Sequence, residues 1–178
     1  MKKKLGKRIK NKGKNGEREL AKILENYFSS KFIRVPNSGS YTGGKNIHRE
    51  KNLDRFQIKL MKGDIITPEK FHNIIFECKF YRDFSLRQCL KSKFSLLDKW
   101  LDQIETILSN NELWFLCIKI NNQGWLILFD KEYMNYFFLE SYMNYISSKE
   151  KEYILTDMKN FLDKNKERIE EISKKKIS

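Results

Sequence analysis

The run Ile74-Ile75-Phe76-Glu77-Cys78-Lys79-Phe80 constrains the fold more than any other stretch. Its composition is that of a strand, and side chains two apart on a strand share a face. Ile74, Phe76, Cys78 and Phe80 therefore make one apolar face, and Glu77 and Lys79 stand on the other. A charge on a core-like strand is costly unless it is paired or holds a metal. Asp64 opens the preceding apolar run, Asp64-Ile65-Ile66, ahead of a turn at Thr67-Pro68-Glu69. A hairpin across that turn would bring the Asp64 carboxylate beside Glu77. Two carboxylates and one ammonium at one spot describe a magnesium site with a lysine next to it. An ordinary hairpin with a surface Glu–Lys pair satisfies the same letters, so the rest of the chain must discriminate.

At 178 residues the chain has the length of one domain with some extension. A hydrophobic content of 40%, with 13% aromatic residues, is enough for a real core. The net charge of +13 points to a polyanionic partner, nucleic acid before a membrane surface. No apolar run approaches the length of a membrane span. The lysines at the start have no apolar stretch behind them, which argues against a secretory signal. Cys78, Cys89 and Cys117 form no CxxC and cannot all pair, so the expected setting is reducing, intracellular and cytoplasmic. With only His48 and His72 available, zinc is a poor candidate.

Residues 1–14 carry eight basic side chains and no acid, and read as a flexible arm that contacts DNA; Lys10, Lys12 and Lys14 lead into the next element. A helix is expected from Asn15-Gly16 to Phe28, with Leu20, Ile23, Leu24 and Tyr27 as its inward stripe. Glu17 falls on that stripe and needs a partner, for which a metal would serve. Glu19 reads as an acid that complements the helix dipole. A strand over Phe32–Val35 enters the loop Pro36-Asn37-Ser38-Gly39-Ser40, small enough to approach a phosphate. Residues 41–62, including Lys45, read as a basic insertion facing DNA. A helix at 96–109, a strand at 113–120, a turn at 121–124 and a return strand from Trp125 follow. The aromatic-rich stretch to Ile146 suits core packing or a subunit contact, and 149–176 reads as a charged helix.

The order is a helix with Glu, a strand, a Ser/Gly loop, an Asp, a Glu-x-Lys strand, a helix, and a strand hairpin. It resembles the PD-(D/E)xK nuclease superfamily, within it the archaeal-type Holliday junction resolvases and related phage nucleases. The matching residues are Gly16-Glu17-Arg18-Glu19-Leu20, Arg34 with Ser38-Gly39-Ser40, Gly63-Asp64-Ile65, Glu77-Cys78-Lys79 and Gly124-Trp125. The resemblance implies an α/β restriction-endonuclease-like core at 15–130, a central mixed β-sheet flanked by helices, and a helical C-terminal extension at 131–178. It implies that Glu17, Asp64, Glu77 and the Cys78 carbonyl hold Mg2+, which Mn2+ could replace. Lys79 takes the place of the catalytic lysine, and Arg18 and Arg34 those of the functional arginines. Ser38, Ser40 and the lysines named above would touch the DNA backbone.

The activity so implied is a magnesium-dependent endodeoxyribonuclease that leaves a 5'-phosphate and a 3'-hydroxyl. A structure-selective Holliday junction resolvase of DNA recombination and repair, cellular or phage-encoded, is the first expectation. Such an enzyme needs two sites related by a two-fold axis, hence a homodimer. A sequence-specific endonuclease of restriction or homing type is the alternative, with 41–62 reading bases. A non-catalytic DNA-binding protein is the second alternative; inward acids near DNA argue against it.

Overall fold

The computed structural model describes residues 2–36, 62–109 and 112–174, with side chains from residue 11 onward. Helix α1 runs Lys2–Phe28. It begins well before the expected start at Asn15, because lysine is a good helix former and the glycines of this segment weaken the helix without breaking it. Residues 2–14, read as an arm, are thus the first half of α1. Leu20, Ala21, Leu24 and Phe28 form its buried stripe. Two short strands follow, β1 (Ile33–Arg34) and β2 (Ile65–Ile66), paired antiparallel with Arg34 opposite Ile65. A hairpin between Asp64-Ile65-Ile66 and the next strand was expected. Instead β2 takes β1 as its partner, and a backbone bond, Asp64 N–H to the Phe76 carbonyl at 3.0 Å, ties this ribbon to the main sheet.

The main sheet has five strands in the order β3-β4-β5-β7-β6. They are β3 (Ile74–Tyr81), β4 (Leu113–Ile120), β5 (Gly124–Asp130), β6 (Met143–Ile146) and β7 (Glu152–Asp157). β3 and β4 are parallel, and every other pairing is antiparallel. The crossover from β3 to β4 carries helices α2 (Leu86–Leu90) and α3 (Ser95–Glu105). A last helix, α4, covers Met158–Lys174.

Alternation sorts the strand side chains into two cores. Phe76, Cys78, Phe115, Cys117, Ile127 and Phe129 face α1 and α4, where Leu24, Phe161 and Leu162 meet them. Ile75, Trp114, Leu116, Ile118 and Leu128 face the other way, onto Leu97, Trp100 and Ile104 of α3. The architecture is therefore a mixed sheet with helices on both faces, as the resemblance implied, with a C-terminal helix. Residues 143–146 and 152–157, however, are strands of the sheet. Tyr145, Tyr153 and Leu155 pack on the α3 face and Ile154 on the α1 face. Burial on both faces removes the clean alternation that would have marked β7 as a strand.

Candidate active site

Among the described residues β3 is an edge strand of the sheet, so one row of its backbone groups has no strand partner there. Asp64 uses that row. Its Oδ2 accepts the Cys78 N–H at 2.9 Å, and its own N–H goes to the Phe76 carbonyl. The Cys78 carbonyl lies on the same outer side, because the N–H and C=O of one strand residue point together. Gly63 makes this approach possible. It sits at φ +69°, and a Cβ there would lie 2.7 Å from the Phe76 carbonyl oxygen. The carboxylate is held almost out of water, 8% exposed.

Glu77 and Lys79 stand on β3 beside it, with Lys79 Nζ donating to Glu77 Oε1 at 2.8 Å. Burial pushes Glu77 up, the Asp64 charge pushes it further, and Lys79 only partly offsets them; it sits at about 7. For Lys79, burial works to lower the pKa, but Glu77 and Asp64 outweigh it and hold the group above its usual range. Lys79 is therefore an ammonium at neutral pH and no general base.

Glu17 comes in from α1. Gly16 lets the helix approach β3 closely: a Cβ there would lie 3.1 Å from Phe80 Cβ and 3.5 Å from Cys78 Sγ. Glu17 Oε2 accepts from Arg34 at 3.3 Å, and Arg34 also donates to the Val35 carbonyl. Burial raises Glu17, and Asp64 raises it further, against Arg34, Lys14 and Lys79. Asp64 is thus the acid whose charge both glutamates feel, while Arg34 bonds to Glu17 and Lys79 to Glu77.

The remaining expected residues divide. Lys12 lies 4.2 Å from the centre of the Phe80 ring, and the Lys14 charge reaches Glu17. Arg18 is exposed and donates to Asn15, one turn back, so no described contact joins it to the acids. Lys10 belongs to α1, but its side chain is outside the description; Ser38, Ser40 and Lys45 lie outside the described residues, as does 41–61. Lys62, read as part of a DNA-facing insertion, turns inward to Glu112 and Ser109. Glu19 is not a dipole residue, since α1 starts at Lys2; it pairs with Lys119 and Trp125 on β4 and β5. Sequence reading missed that cluster because its members lie about a hundred residues apart, and it missed the packing role of Gly16.

The candidate ligands Asp64, Glu77, Glu17 and the Cys78 carbonyl would all present oxygens, which suits a hard divalent cation. The upward shifts of Glu17 and Glu77, from burial first and the Asp64 charge second, are a second sign of fit, because a cation would offset both. As placed, Glu77 turns to Lys79 and Glu17 to Arg34. Among the described residues no three acidic, cysteine or histidine side chains form a ready cluster.

A mixed sheet sandwiched by helices, with Asp64 bonded to the edge strand that carries a Glu-x-Lys, is the arrangement of the PD-(D/E)xK nuclease class. The family model described as "Phage putative PDDEXK endonuclease" matches residues 8–171, and the chain belongs to that family. The matched span includes β6, β7 and most of α4. No curated protein and no solved structure matches the chain. The family makes the chain an endonuclease, with DNA as its partner, in a superfamily that uses divalent metals. No helix among the described residues is long and apolar enough to cross a membrane.

Proposed function

We propose that the chain is a Mg2+-dependent, structure-selective endodeoxyribonuclease of the Holliday junction resolvase type, acting at the Asp64 edge of β3. The observation that carries this reading is the Asp64 carboxylate fixed to the Cys78 N–H, with Glu77 and Lys79 next to it. Asp64, Glu77 and the Cys78 carbonyl would hold the cation, with Glu17 completing the set. When bound, it would polarise the scissile phosphate and acidify a water. Lys79, as an ammonium, orients the attacking water and offsets charge that builds on the phosphate oxygens. Arg34, already on Glu17, stands where a non-bridging phosphate oxygen could take its second donor. The lysines of α1 bind the backbone without reading bases.

Paired cuts at a four-way junction need two such sites, so the reading includes a homodimer. Trp125 is engaged by its own chain through Glu19, and Phe137 and Tyr145 are buried in their own domain. The candidate surface therefore narrows to exposed Tyr136, Phe138 and Tyr142, on the connection into the edge strand β6. Light scattering at low and high salt should give a dimer mass; a monomer that only nicks would defeat the junction reading. The deciding experiment is a cleavage panel of duplex, nicked, flapped, splayed and four-way DNA with Mg2+ or Mn2+. Paired symmetric cuts in the four-way substrate are expected. Site-specific cutting of plain duplex would instead favour a sequence-specific enzyme.

A further inference from the structure

A second cluster of charged side chains lies across α1 from Asp64. The helix meets β3 at Gly16, where there is no side chain to hold the two apart. Helix residues two apart lie about 200° apart round the axis. Glu17 and Glu19 therefore leave this contact on opposite flanks. Glu17 meets Arg34, and Glu19 meets Lys119 and Trp125.

Lys119 faces α1 because it pairs with Phe80 in parallel register, and such partners point to one face. Its ammonium lies 4.9 Å from the centre of the Phe80 ring and 5.7 Å from that of Trp125. Lys12 lies over the same Phe80 ring. Two cations thus lie against the ring of the residue that follows Lys79, and one of them, Lys119, also reaches Trp125. Glu19 accepts from Lys119, and from Trp125 Nε1 at 3.1 Å. Burial works to raise Glu19, but those two donors outweigh it and hold it below the usual carboxylate range.

The two partners differ in exposure. The Lys119 side chain is 21% exposed and the Glu19 side chain 45%. The cation is fixed by aromatic rings, and the carboxylate is the looser, outer member. A half-exposed ion pair is weak in water, so displacing it costs little. A DNA phosphate offers the same charge and the same acceptor oxygens as this carboxylate.

We infer that Lys119, Trp125 and Lys12 form a binding point for a backbone phosphate of DNA beside the cleavage site, and that Glu19 occupies it as an internal stand-in which DNA displaces. The ligand class rests on the nuclease reading. The point itself is separate from the Asp64 set and would take the phosphodiester backbone a short way from the scissile bond.

The test is equilibrium binding of the full chain to a short labelled duplex across a salt series, without divalent cations so that no cutting occurs. Lys119→Ala should weaken binding and reduce the slope of log affinity against log salt by about 0.9, one phosphate contact. Lys119→Arg should keep the slope. Glu19→Gln retains an acceptor for Trp125 and should tighten binding about two- to fivefold, the strength of a released surface pair. In the Lys119→Ala background the same Glu19→Gln change should give no such gain. An equal gain in both backgrounds would mean that Glu19 acts only as a general negative charge, and would overturn the inference. So would a Glu19→Gln chain that binds no more tightly while its melting temperature falls, the mark of a purely structural pair. Cleavage by the wild type with Mg2+ tests the nuclease reading separately: cutting without the Glu19–Lys119 coupling removes the phosphate point alone.

Discussion

Asp64 and Asp98 are equally buried, each 8% exposed, and they do opposite things. Asp98, on α3, is satisfied by neutral donors. Tyr145 donates its hydroxyl to Oδ1, and the Ser148 N–H reaches Oδ2 at 3.1 Å. Burial and the Asp98 carboxylate together keep the Tyr145 hydroxyl protonated. This acid links α3 to the β6 edge and has nothing left to bind. Asp64 has one backbone donor at the β3 edge and two glutamates close enough to be raised by its charge. Burial alone does not mark a site. The mark is a buried carboxylate whose charge raises two further, partly buried acids, at the edge of the sheet.

The largest effect expected from this contrast is on cleavage. Asp64→Asn should lower the cleavage rate by roughly a thousandfold or more, as loss of a ligand to a cation that stabilises the reacting phosphate does. It should leave DNA binding equal or tighter, since one negative charge is removed. Asp98→Asn should cut at close to the wild-type rate per folded molecule. Equal losses in the two variants would erase the distinction.

Stability should show the reverse order. Asp98→Ala leaves the Tyr145 hydroxyl and the Ser148 N–H without their acceptor, and should cost about 2 kcal/mol in denaturant unfolding. Asp64→Ala, without metal, removes a repelling charge along with one hydrogen bond and should cost less. A larger loss for Asp64 would mean that its carboxylate is chiefly structural.

The pH response of the metal-free protein sharpens the point. Glu77 is raised from the ordinary carboxylate value of 4.5 to about 7 in the folded chain. Between those values the folded state holds a proton that the unfolded state has lost, so stability falls as pH rises through the window. Glu77→Gln should flatten that fall, with melting curves between pH 4.5 and 7 as the measure. An unchanged slope would mean that the glutamate is already balanced by Lys79.

The smallest effect concerns the N-terminal half of α1. Replacing Lys2, Lys3, Lys4 and Lys7 by Gln should weaken binding to every DNA alike and flatten its salt dependence, with cleavage of bound DNA kept. An unchanged slope would leave these lysines no part in DNA binding.

The contrast was half legible in the sequence. Asp64 and Glu77-Cys78-Lys79 stood out because charges interrupt apolar runs there, and β4 with its turn stood out as eight apolar-rich residues ahead of Asn121-Asn122-Gln123-Gly124. Asp98 did not, because on α3 it looks like any acid near a helix start; only Tyr145, far along the chain, makes it a buried anchor. β2 was legible as a strand but not in its partner, which depends on a two-residue ribbon closed by the Val35 N–H to the Asp64 carbonyl. β7 was hidden by the charged residues around it, and Glu19 by the distance to Lys119.

The central claim is that the acids at the β3 edge serve DNA cleavage through a divalent cation. The most direct measurement is single-turnover cutting of a labelled four-way junction by the purified full chain, with Mg2+ titrated from none upward and then removed by chelator. The account predicts no cutting without the cation, saturable cutting with it, and loss on chelation. Cutting that persists under chelator, or no cutting of any DNA in the panel with either Mg2+ or Mn2+, would contradict it.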